Sequence, residues 1–208
     1  MNNAVIYSLF VAGSYLLGAV PFGLLIGKCY GIDIRKTGSC NIGATNVTRS
    51  VGKTAGKVCF FLDLLKGAVP AAVAQWCYPE VPLLALGCGA AAILGHIFPV
   101  YLKFKGGKGV STAAGVALAL APLPLLCAFV VWVATFFISR YVSLASIAAA
   151  VALPVFAAVF KLVDVGTPTA KAPLTLGFFI AAALLTVVRH RENIKRLLAG
   201  TESRFEKK

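Results

Sequence analysis

Long runs of residues without charge constrain this chain more than any other feature. An α-helix rises 1.5 Å per residue, so about 20 apolar residues cross the roughly 30 Å of hydrocarbon in a bilayer. Five runs reach about that length, and the only acidic, basic or imidazole side chains within them are Asp63, Lys66 and His96. The runs are residues 4–27, 58–78, 81–102, 141–160 and 172–188. Each is predicted to be a transmembrane helix.

The composition agrees with a membrane protein. Hydrophobic residues make up 59% of the chain and charged residues 13%, whereas soluble domains have about 45–50% and about 25%. Such a chain cannot cover its apolar atoms with its own polar surface, which disfavours a soluble enzyme, a disordered linker and a fibrous protein. Because the sequence has no sustained repeat, low-complexity tract or long linker, we predict a single all-α integral membrane domain over residues 1–208.

A sixth uncharged stretch, residues 110–139, does not fit one helix. Its 30 residues would form a helix of about 45 Å, too long for one upright span and short for two. Pro122 and Pro124 stand near its middle, and proline lacks a backbone donor and disfavours helix in the residue before it. We therefore predict two short helices here.

The distribution of basic residues decides between six and seven spans. Six basic residues lie between residues 28 and 57, and seven lie from Arg189 to the C-terminus. The positive-inside rule places both groups on the cytoplasmic face, which requires two spans within residues 110–139. That arrangement puts 17 of the 20 Lys and Arg residues inside, Lys161 and Lys171 outside, and Lys66 within a helix. We predict seven transmembrane helices, two of them short, with the N-terminus out and the C-terminus in.

Small residues four apart on the first helix predict where it packs. Lipid gives no hydrophobic drive for helix association, so membrane helices associate through close backbone contact. Ser14 with Gly18, and Gly23 with Gly27, have this spacing and are expected to be contact faces.

The first basic loop contains a segment, residues 38–49, of glycine, small hydroxyl and amide side chains without a helix or strand period. Such a run can turn several backbone N–H groups inward and hold a phosphate. An ordinary turn-rich connection is the alternative, since the same residue types mark plain loops. Arg49 favours the phosphate interpretation.

A second loop, residues 103–112, interleaves three lysines with three glycines and ends where an apolar stretch begins. Glycine lets the backbone approach an anion, and Ser111 and Thr112 fall at a helix start, where free N–H groups favour negative charge. A positively charged membrane flank would explain the lysines but not the glycines. We expect this loop to bind phosphate.

Polar or charged side chains in or next to the predicted spans form three further candidate sites. His190 and Asn193 share one face of a basic tail helix, which either lies on the membrane surface or closes over a site made by the two loops. His96 either satisfies a neighbouring carbonyl or contacts substrate. Asp63 and Lys66, three apart in a span, are expected to pair or to face a polar cavity, with a structural role as the default.

Several common chemistries are excluded by the residues. The six cysteines form no Cys-x-x-Cys pair, and two histidines with few carboxylates make neither a metal centre nor a Ser/His/Asp triad. Gly52-Lys53-Thr54 lacks the first glycine of a nucleotide P-loop, because that position is Val47. Neither histidine is followed five residues later by the Asp of many glycerolipid acyltransferases. A site rich in cations and poor in bases suits anionic substrates with an activated donor, such as a phosphoanhydride.

The chain resembles the bacterial acyl-phosphate:glycerol-3-phosphate acyltransferases, the PlsY family of integral membrane enzymes. The resemblance rests on the segments IRKTGSCNIGATN (34–46) with Arg49, DLLKG (63–67), GHIFP (95–99), FKGGKGV (104–110) and HREN (190–193). One departure is Cys40, where the family usually has glycine. If this position needs a positive φ or close approach to phosphate, Cys40 strains the loop.

The resemblance implies acyl transfer from a fatty acyl phosphate to the 1-hydroxyl of glycerol 3-phosphate, which gives lysophosphatidic acid and phosphate. It assigns Ser39, Arg49, Lys108, His190 and Asn193 to the reacting substrates. Further binding or orienting residues are Gly38, Asn41, Gly43, Thr45, Asn46, Gly106, Gly107, Ser111, Thr112, Lys66 and His96. It also implies an inner-membrane enzyme with its site facing the cytoplasm, no metal or other cofactor, membrane lipids but no nucleic acid as partners, and a monomer.

Two other classes stay open at this stage. A transporter of a phosphorylated solute would fit the break at Pro122 and Pro124, but transporters place substrate at mid-membrane between repeated halves, and no second half is found. A non-catalytic lipid-binding scaffold leaves the two glycine-rich loops unexplained.

Overall fold

The structure is a computed structural model that describes residues 2–165 and 173–205, and within these ranges every regular element is helical. The α-helices are α1 (Asn3–Ala19), α2 (Phe22–Cys29), α3 (Ala44–Ser50), α4 (Lys53–Cys77), α5 (Pro82–Ile97), α6 (Val110–Leu120), α7 (Pro122–Ser139), α8 (Val142–Leu162), α9 (Pro173–Arg189) and α10 (Arg191–Leu198). A 3-10 turn covers Val100–Leu102. The all-α prediction is confirmed over this part of the chain.

Among the described residues, five helical segments are long and apolar enough to cross a membrane: α1 with α2, α4, α5 with the 3-10 turn, α7 and α8. A sixth is present if α9 and α10, bent by 57° at His190, form one span. The 11 residues of α6 are about 16 Å long, too short to cross alone. Seven spans and their orientation therefore stay predictions, and Lys171, Lys207 and Lys208 of the charge argument lie outside the described residues.

Two local predictions meet different outcomes. The break near Pro122 is present, since α6 ends at Leu120 and α7 begins at Pro122. The expectation that residues 38–49 lack a helix was wrong, because Ala44–Ser50 form α3. The Asn41 side chain accepts a hydrogen bond from the Gly43 N–H at 2.9 Å, and Val47 is buried beneath the loop. Tertiary burial of Asn46 and Val47 thus stabilises a helix too short for a sequence period.

The chain divides into two compact units, and the single-domain organisation stays a prediction. The first unit, Met1–Leu120, contains α1 to α6, with α4 against α5 and α6 and with α1 against α5. Glycines permit these contacts: a Cβ on Gly18 would collide with the backbone of Ala92, and one on Gly67 with the Thr112 carbonyl. The predicted contact face at Gly18 is thereby confirmed.

The second unit, Ala121–Lys208, contains α7 to α10, with α7 and α9 against α8. After α10 the chain returns to the turn between α7 and α8. The Phe205 N–H donates to the Arg140 carbonyl at 3.0 Å, and Arg204 Nε donates to the Tyr141 hydroxyl at 2.8 Å. These contacts fix the segment after α10 within the second unit.

Candidate active site

Asn46 organises the first loop. Its side chain is buried, and its Nδ2 group donates to the carbonyl oxygens of Ile34, Thr37 and Asn41 at 2.8, 3.1 and 2.8 Å. Its Oδ1 atom accepts from the Ser39 N–H at 2.8 Å. An amide carries both donors and an acceptor, so one side chain satisfies backbone groups of both kinds. Asn46 therefore orients the loop in this structure.

Two residues of the loop have left-handed backbone conformations, Gly38 with φ +58° and Cys40 with φ +55°. Gly38 also lies so close to Asn46 that a Cβ there would collide with Oδ1. The Cys40 N–H donates to the Thr37 carbonyl at 3.0 Å, which closes the turn. The conformational strain expected at Cys40 is therefore present, because a residue with a Cβ occupies a glycine-favouring region.

The polar side chains of this loop differ in exposure. Ser39 and Arg49 are exposed, while Thr45 is half-buried. Asp33 and Arg35, just before the loop, form an ion pair with 2.7 Å between Oδ2 and a guanidinium nitrogen. The hydrogen bond from Arg35 holds the pKa of the Asp33 carboxyl well below its usual range. Ser39 and Arg49 are thus the predicted site residues that this loop presents at its surface.

The second loop is fastened to the end of α5. The N–H groups of Gly106 and Gly107 donate to the carbonyls of Ile97 and His96 at 3.2 and 3.1 Å. The last carbonyls of a helix have no partner within the helix, so these bonds complete α5. A Cβ on Gly106 would collide with the same carbonyls, and one on Gly107 with the His96 ring at Nε2. Close packing accounts for both glycines, and these two N–H groups serve the fold of the loop.

Lys108 and Ser111, which follow these glycines, are half-buried. Gly109, between them, has φ +81° and precedes α6. Thr112 is fully buried where α6 meets Gly67 of α4. The loop therefore offers three cations to an anion, the half-buried Lys108 and the exposed Lys103 and Lys105, and Thr112 belongs to a helix contact.

A buried ionic cluster lies beneath the second loop. The Asp63 carboxylate is 2.8 Å from the Lys66 ammonium and 3.6 Å from His96 Nδ1, and all three side chains are at most 4% exposed. Lys66 Nζ also donates to the Val20 carbonyl at 2.8 Å, where α1 ends before Pro21. The predicted pairing of Asp63 with Lys66 is present, and His96 joins it.

One helix carries both loops. Cys59 of α4 packs with Ile42 and Val47 in the apolar core beneath the first loop, and Leu102 before the second loop packs on the same core. One helical turn further along α4, Asp63 meets His96 beneath the second loop. Since Cys59 and Asp63 lie four residues apart on one face, the two loops are held side by side in the first unit.

The second unit contains two more predicted site residues, His190 and Asn193, and Asn193 contacts Glu202. His190 is buried and its Nδ1 atom lies 2.8 Å from the Thr186 carbonyl. A carbonyl only accepts, so Nδ1 carries the proton and a neutral ring presents Nε2 as an acceptor. Asn193 Nδ2 donates to Glu202 Oε1 at 2.7 Å, which fixes the direction of its amide.

Glu202 is itself buried and accepts from three groups. Besides Asn193, the Ser143 hydroxyl donates to Oε1 and Arg196 Nε donates to Oε2, each at 2.7 Å. Burial alone would raise the pKa of Glu202, but these hydrogen bonds and the positive charge of Arg196 outweigh it and lower the pKa. Glu202 therefore remains charged and ties α10 to α8.

Comparison with known protein families shows which family the chain belongs to. The model of the family described as glycerol-3-phosphate acyltransferase matches residues 8–200. The chain belongs to the glycerol-3-phosphate acyltransferase family. The glycerol-3-phosphate acyltransferase of Geotalea daltonii is 46% identical over 198 residues, which cover 95% of this chain and 96% of that protein. The protein of the same name from Aquifex aeolicus is 46% identical over 92% of this chain and 95% of its own length.

Membership of this family also agrees with the solved structures. A crystal structure of PlsY (YgiH), an integral membrane glycerol 3-phosphate acyltransferase, in its glycerol 3-phosphate form has a TM-score of 0.86 and 44% identity over 96% of each chain. The lysophosphatidic acid form of PlsY gives 0.84 at 44% identity, over 96% of this chain and 95% of that one. The predicted family and the all-α, multi-pass membrane fold are confirmed.

Sequence analysis of this family member missed Glu202 and Ser143. The available signal was that Glu202 is one of few acidic residues in a strongly basic tail, four residues after the end of α10, the helix that carries Asn193. Its partner Ser143, 59 positions earlier, has no sequence signal. Within the described residues, no group of three or more His, Cys, Asp or Glu side chains is arranged to hold a metal ion.

Proposed function

We propose that this protein transfers a fatty acyl group from an acyl phosphate to the 1-hydroxyl of sn-glycerol 3-phosphate. The products are 1-acylglycerol 3-phosphate and inorganic phosphate. The observation that carries the proposal is the match to PlsY over 96% of the chain, in forms named for glycerol 3-phosphate and for lysophosphatidic acid. The acyl phosphate donor follows from the PlsY resemblance and from the shortage of bases in the candidate site.

The reaction needs anionic substrates held with their reacting atoms close together. The glycerol oxygen attacks the acyl carbonyl carbon, the carbon–oxygen bond to phosphate breaks, and phosphate leaves with the electron pair. The hydroxyl proton passes to a phosphate oxygen of a substrate. Binding both phosphates lowers the entropy cost of this encounter, and fixed cations stabilise the departing charge.

We assign the polar contacts to the residues that each loop presents. Ser39 and Arg49 of the first loop and Lys108 of the second bind phosphate groups. His190 and Asn193 orient the glycerol 3-phosphate. His190 does so with Nε2 as a hydrogen-bond acceptor, and Asn193 does so with an amide whose direction is fixed by Glu202. The remaining predicted binding residues, including Asn41, Gly43, Thr45 and Ser111, shape the loops that carry these groups. We place the site at the cytoplasmic face of the inner membrane, in a protein acting as a monomer.

Purified protein in detergent tests this function directly. Phosphate release should require both palmitoyl phosphate and glycerol 3-phosphate, and palmitoyl-CoA should not replace the acyl phosphate. In the unsubstituted protein, Arg49 and Lys108 stabilise negative charge that develops in the transition state. Arg49→Ala and Lys108→Ala should therefore each lower kcat/KM by on the order of 10²-fold.

Lys195→Ala is the matched control, since Lys195 is a cation with a 72% exposed side chain on α10 and should leave kcat/KM near the original value. Near-normal kcat/KM in Arg49→Ala and Lys108→Ala would reject the residue assignments. Uptake of glycerol 3-phosphate into vesicles without phosphate release would instead indicate a transporter.

A further inference from the structure

The buried cluster of Asp63, Lys66 and His96 calls for an explanation beyond stability. Removing charged groups from water is costly, and a buried ion pair replaced by apolar side chains often leaves a protein equally stable or more stable. In a membrane helix, ionisable residues are rare and usually serve function. The contacts of the cluster indicate what that function is.

The three side chains connect separate parts of the first unit. Lys66 donates to the Val20 carbonyl, which lies at the break between α1 and α2. Asp63 lies between the Lys66 ammonium and the His96 ring. The other side of that ring contacts Gly107, where a Cβ would collide with Nε2. The cluster thus extends from the break in the first span to the underside of the second loop.

His96 is the direct support of this loop. Its carbonyl accepts the Gly107 N–H, and its imidazole packs against the same glycine. The position of the ring therefore sets how far the loop lies from α5, and Lys108 is the next residue along the chain. A change of about 1 Å in the position of a substrate-binding group can cost about 10²-fold in rate.

We propose that Asp63, Lys66 and His96 form a positioning cluster that holds residues 105–109, and with them the Lys108 ammonium, at the height required for binding a substrate phosphate. The proposal rests on the proposed function, which assigns Lys108 to phosphate. The proposal assigns Lys66 and His96 an action through the loop in place of the direct substrate contact expected from the sequence.

A double-mutant cycle between His96 and Gly107 tests the contact. His96→Ala and Gly107→Ala should each lower kcat/KM by about 10-fold or more, since each displaces the loop. In the double variant the added methyl group occupies space left by the ring, so the combined loss should be close to that of His96→Ala alone. Non-additivity of this kind measures a direct interaction.

Gly106→Ala is the matched control for the cycle. A Cβ at residue 106 would collide with the main-chain carbonyls of His96 and Ile97, which remain in His96→Ala. The losses of Gly106→Ala and His96→Ala should therefore multiply. If the Gly107 and His96 losses also multiply, or if His96→Ala retains normal kcat/KM, the positioning role is rejected.

A double variant without charge at residues 63 and 66 distinguishes a role in positioning the loop from a role in stability alone. Asp63→Asn and Lys66→Met should each lower the melting temperature, because each leaves a buried charge without its partner. The double variant Asp63→Asn/Lys66→Met removes both charges and should recover the melting temperature but not kcat/KM, since the carboxylate facing His96 is still absent. Recovery of both quantities would show that the cluster serves stability alone.

Two measurements keep the outcome distinct from a failure of the proposed function. Turnover by the unsubstituted protein with acyl phosphate and glycerol 3-phosphate is measured first, and its absence would reject the function. The rise in melting temperature on adding glycerol 3-phosphate or inorganic phosphate reports binding without turnover, and it should shrink in His96→Ala. Leu65 lies on α4 between Asp63 and Lys66 and is 49% exposed. Leu65→Ala should therefore change neither the turnover nor the rise in melting temperature on adding ligand.

Discussion

One Asn46 amide contacts four backbone groups of the first loop, since its two N–H donors are shared among three carbonyls and Oδ1 accepts from one N–H. Ionised Asp only accepts hydrogen bonds, and Leu neither donates nor accepts them, so neither residue can replace Asn46. The left-handed turn at Gly38 and Cys40 brings the Ser39 N–H to this amide. At the scale of single residues, the loop therefore depends on a buried donor and acceptor and on a backbone conformation that favours glycine.

Cys40→Gly is expected to raise the free energy of unfolding by about 1 kcal/mol, because Cys40 has a φ of +55° and only glycine adopts this region without steric cost. Thermal unfolding in detergent measures the change. Cys40→Ala is the control, since it removes the thiol but keeps the Cβ and should show no such gain. Equal stabilisation in both variants would attribute the effect to the thiol.

At the scale of elements, α4 in the first unit and α10 in the second each carry predicted site residues and are held by contacts within their own unit. Cys59 and Asp63 place both glycine-bearing loops on successive turns of α4. In the second unit, Glu202 holds α10 to α8 through Asn193 and Ser143. Side chains from other segments contribute to the position of each helix, His96 of α5 at α4 and, through Glu202, Ser143 of α8 at α10.

Glu202→Gln should lower the melting temperature and kcat/KM together, because it removes the charge that Arg196 pairs with and loosens the amide of Asn193. The pKa of Glu202 is lowered in the folded state, so its contribution to stability is present above the unfolded pKa of about 4.5. That contribution disappears as the pH falls through the lowered folded value. The melting temperature of Glu202→Gln should therefore lie below that of the unsubstituted protein by the full amount at pH 7. The difference should shrink as the pH falls below about 4.5.

Glu192→Gln is the control on the same helix. Glu192 is 58% exposed and pairs with Lys195 at the surface, where an ion pair contributes little. Its melting temperature should stay near that of the unsubstituted protein across this pH range. A pH-independent effect of Glu202→Gln would contradict the charged role of Glu202.

At the scale of the whole molecule, the break between α6 and α7 also separates the two compact units, Met1–Leu120 and Ala121–Lys208. The number of membrane crossings depends on whether α6 counts as one. With α6 counted, the basic loops and the tail share one side of the membrane. Without it, the tail would emerge opposite the first loop, against the positive-inside rule.

A reporter enzyme that is active only outside the cytoplasm should be inactive when fused after Lys208 and active when fused after Val165, because seven spans place these positions on opposite sides. Activity in living cells measures each location, and the Val165 fusion is the positive control. Activity of the fusion after Lys208 would overturn the orientation and the count of seven.

Much of the fold could be predicted from the sequence, whereas the roles of the predicted site residues stay predictions. Hydrocarbon thickness and helical rise predicted which stretches are candidate spans, and proline chemistry predicted the break before α7. The two loops were singled out because glycine and amide residues favour irregular backbone and because basic residues are costly in lipid. The pairing of Asp63 with Lys66 followed from the cost of an isolated charge in a membrane helix.

Only the tertiary structure decided the contacts between distant segments. Nothing in the local sequence of Gly107 indicates the ring of His96, and Glu202 lies 59 positions from Ser143. Helix α3 likewise depends on burial of Val47 rather than on a period of its own. The physical reason is that spans follow from local solvation, which each stretch of sequence contains, whereas packing and hydrogen bonding depend on which segments the folded chain brings together.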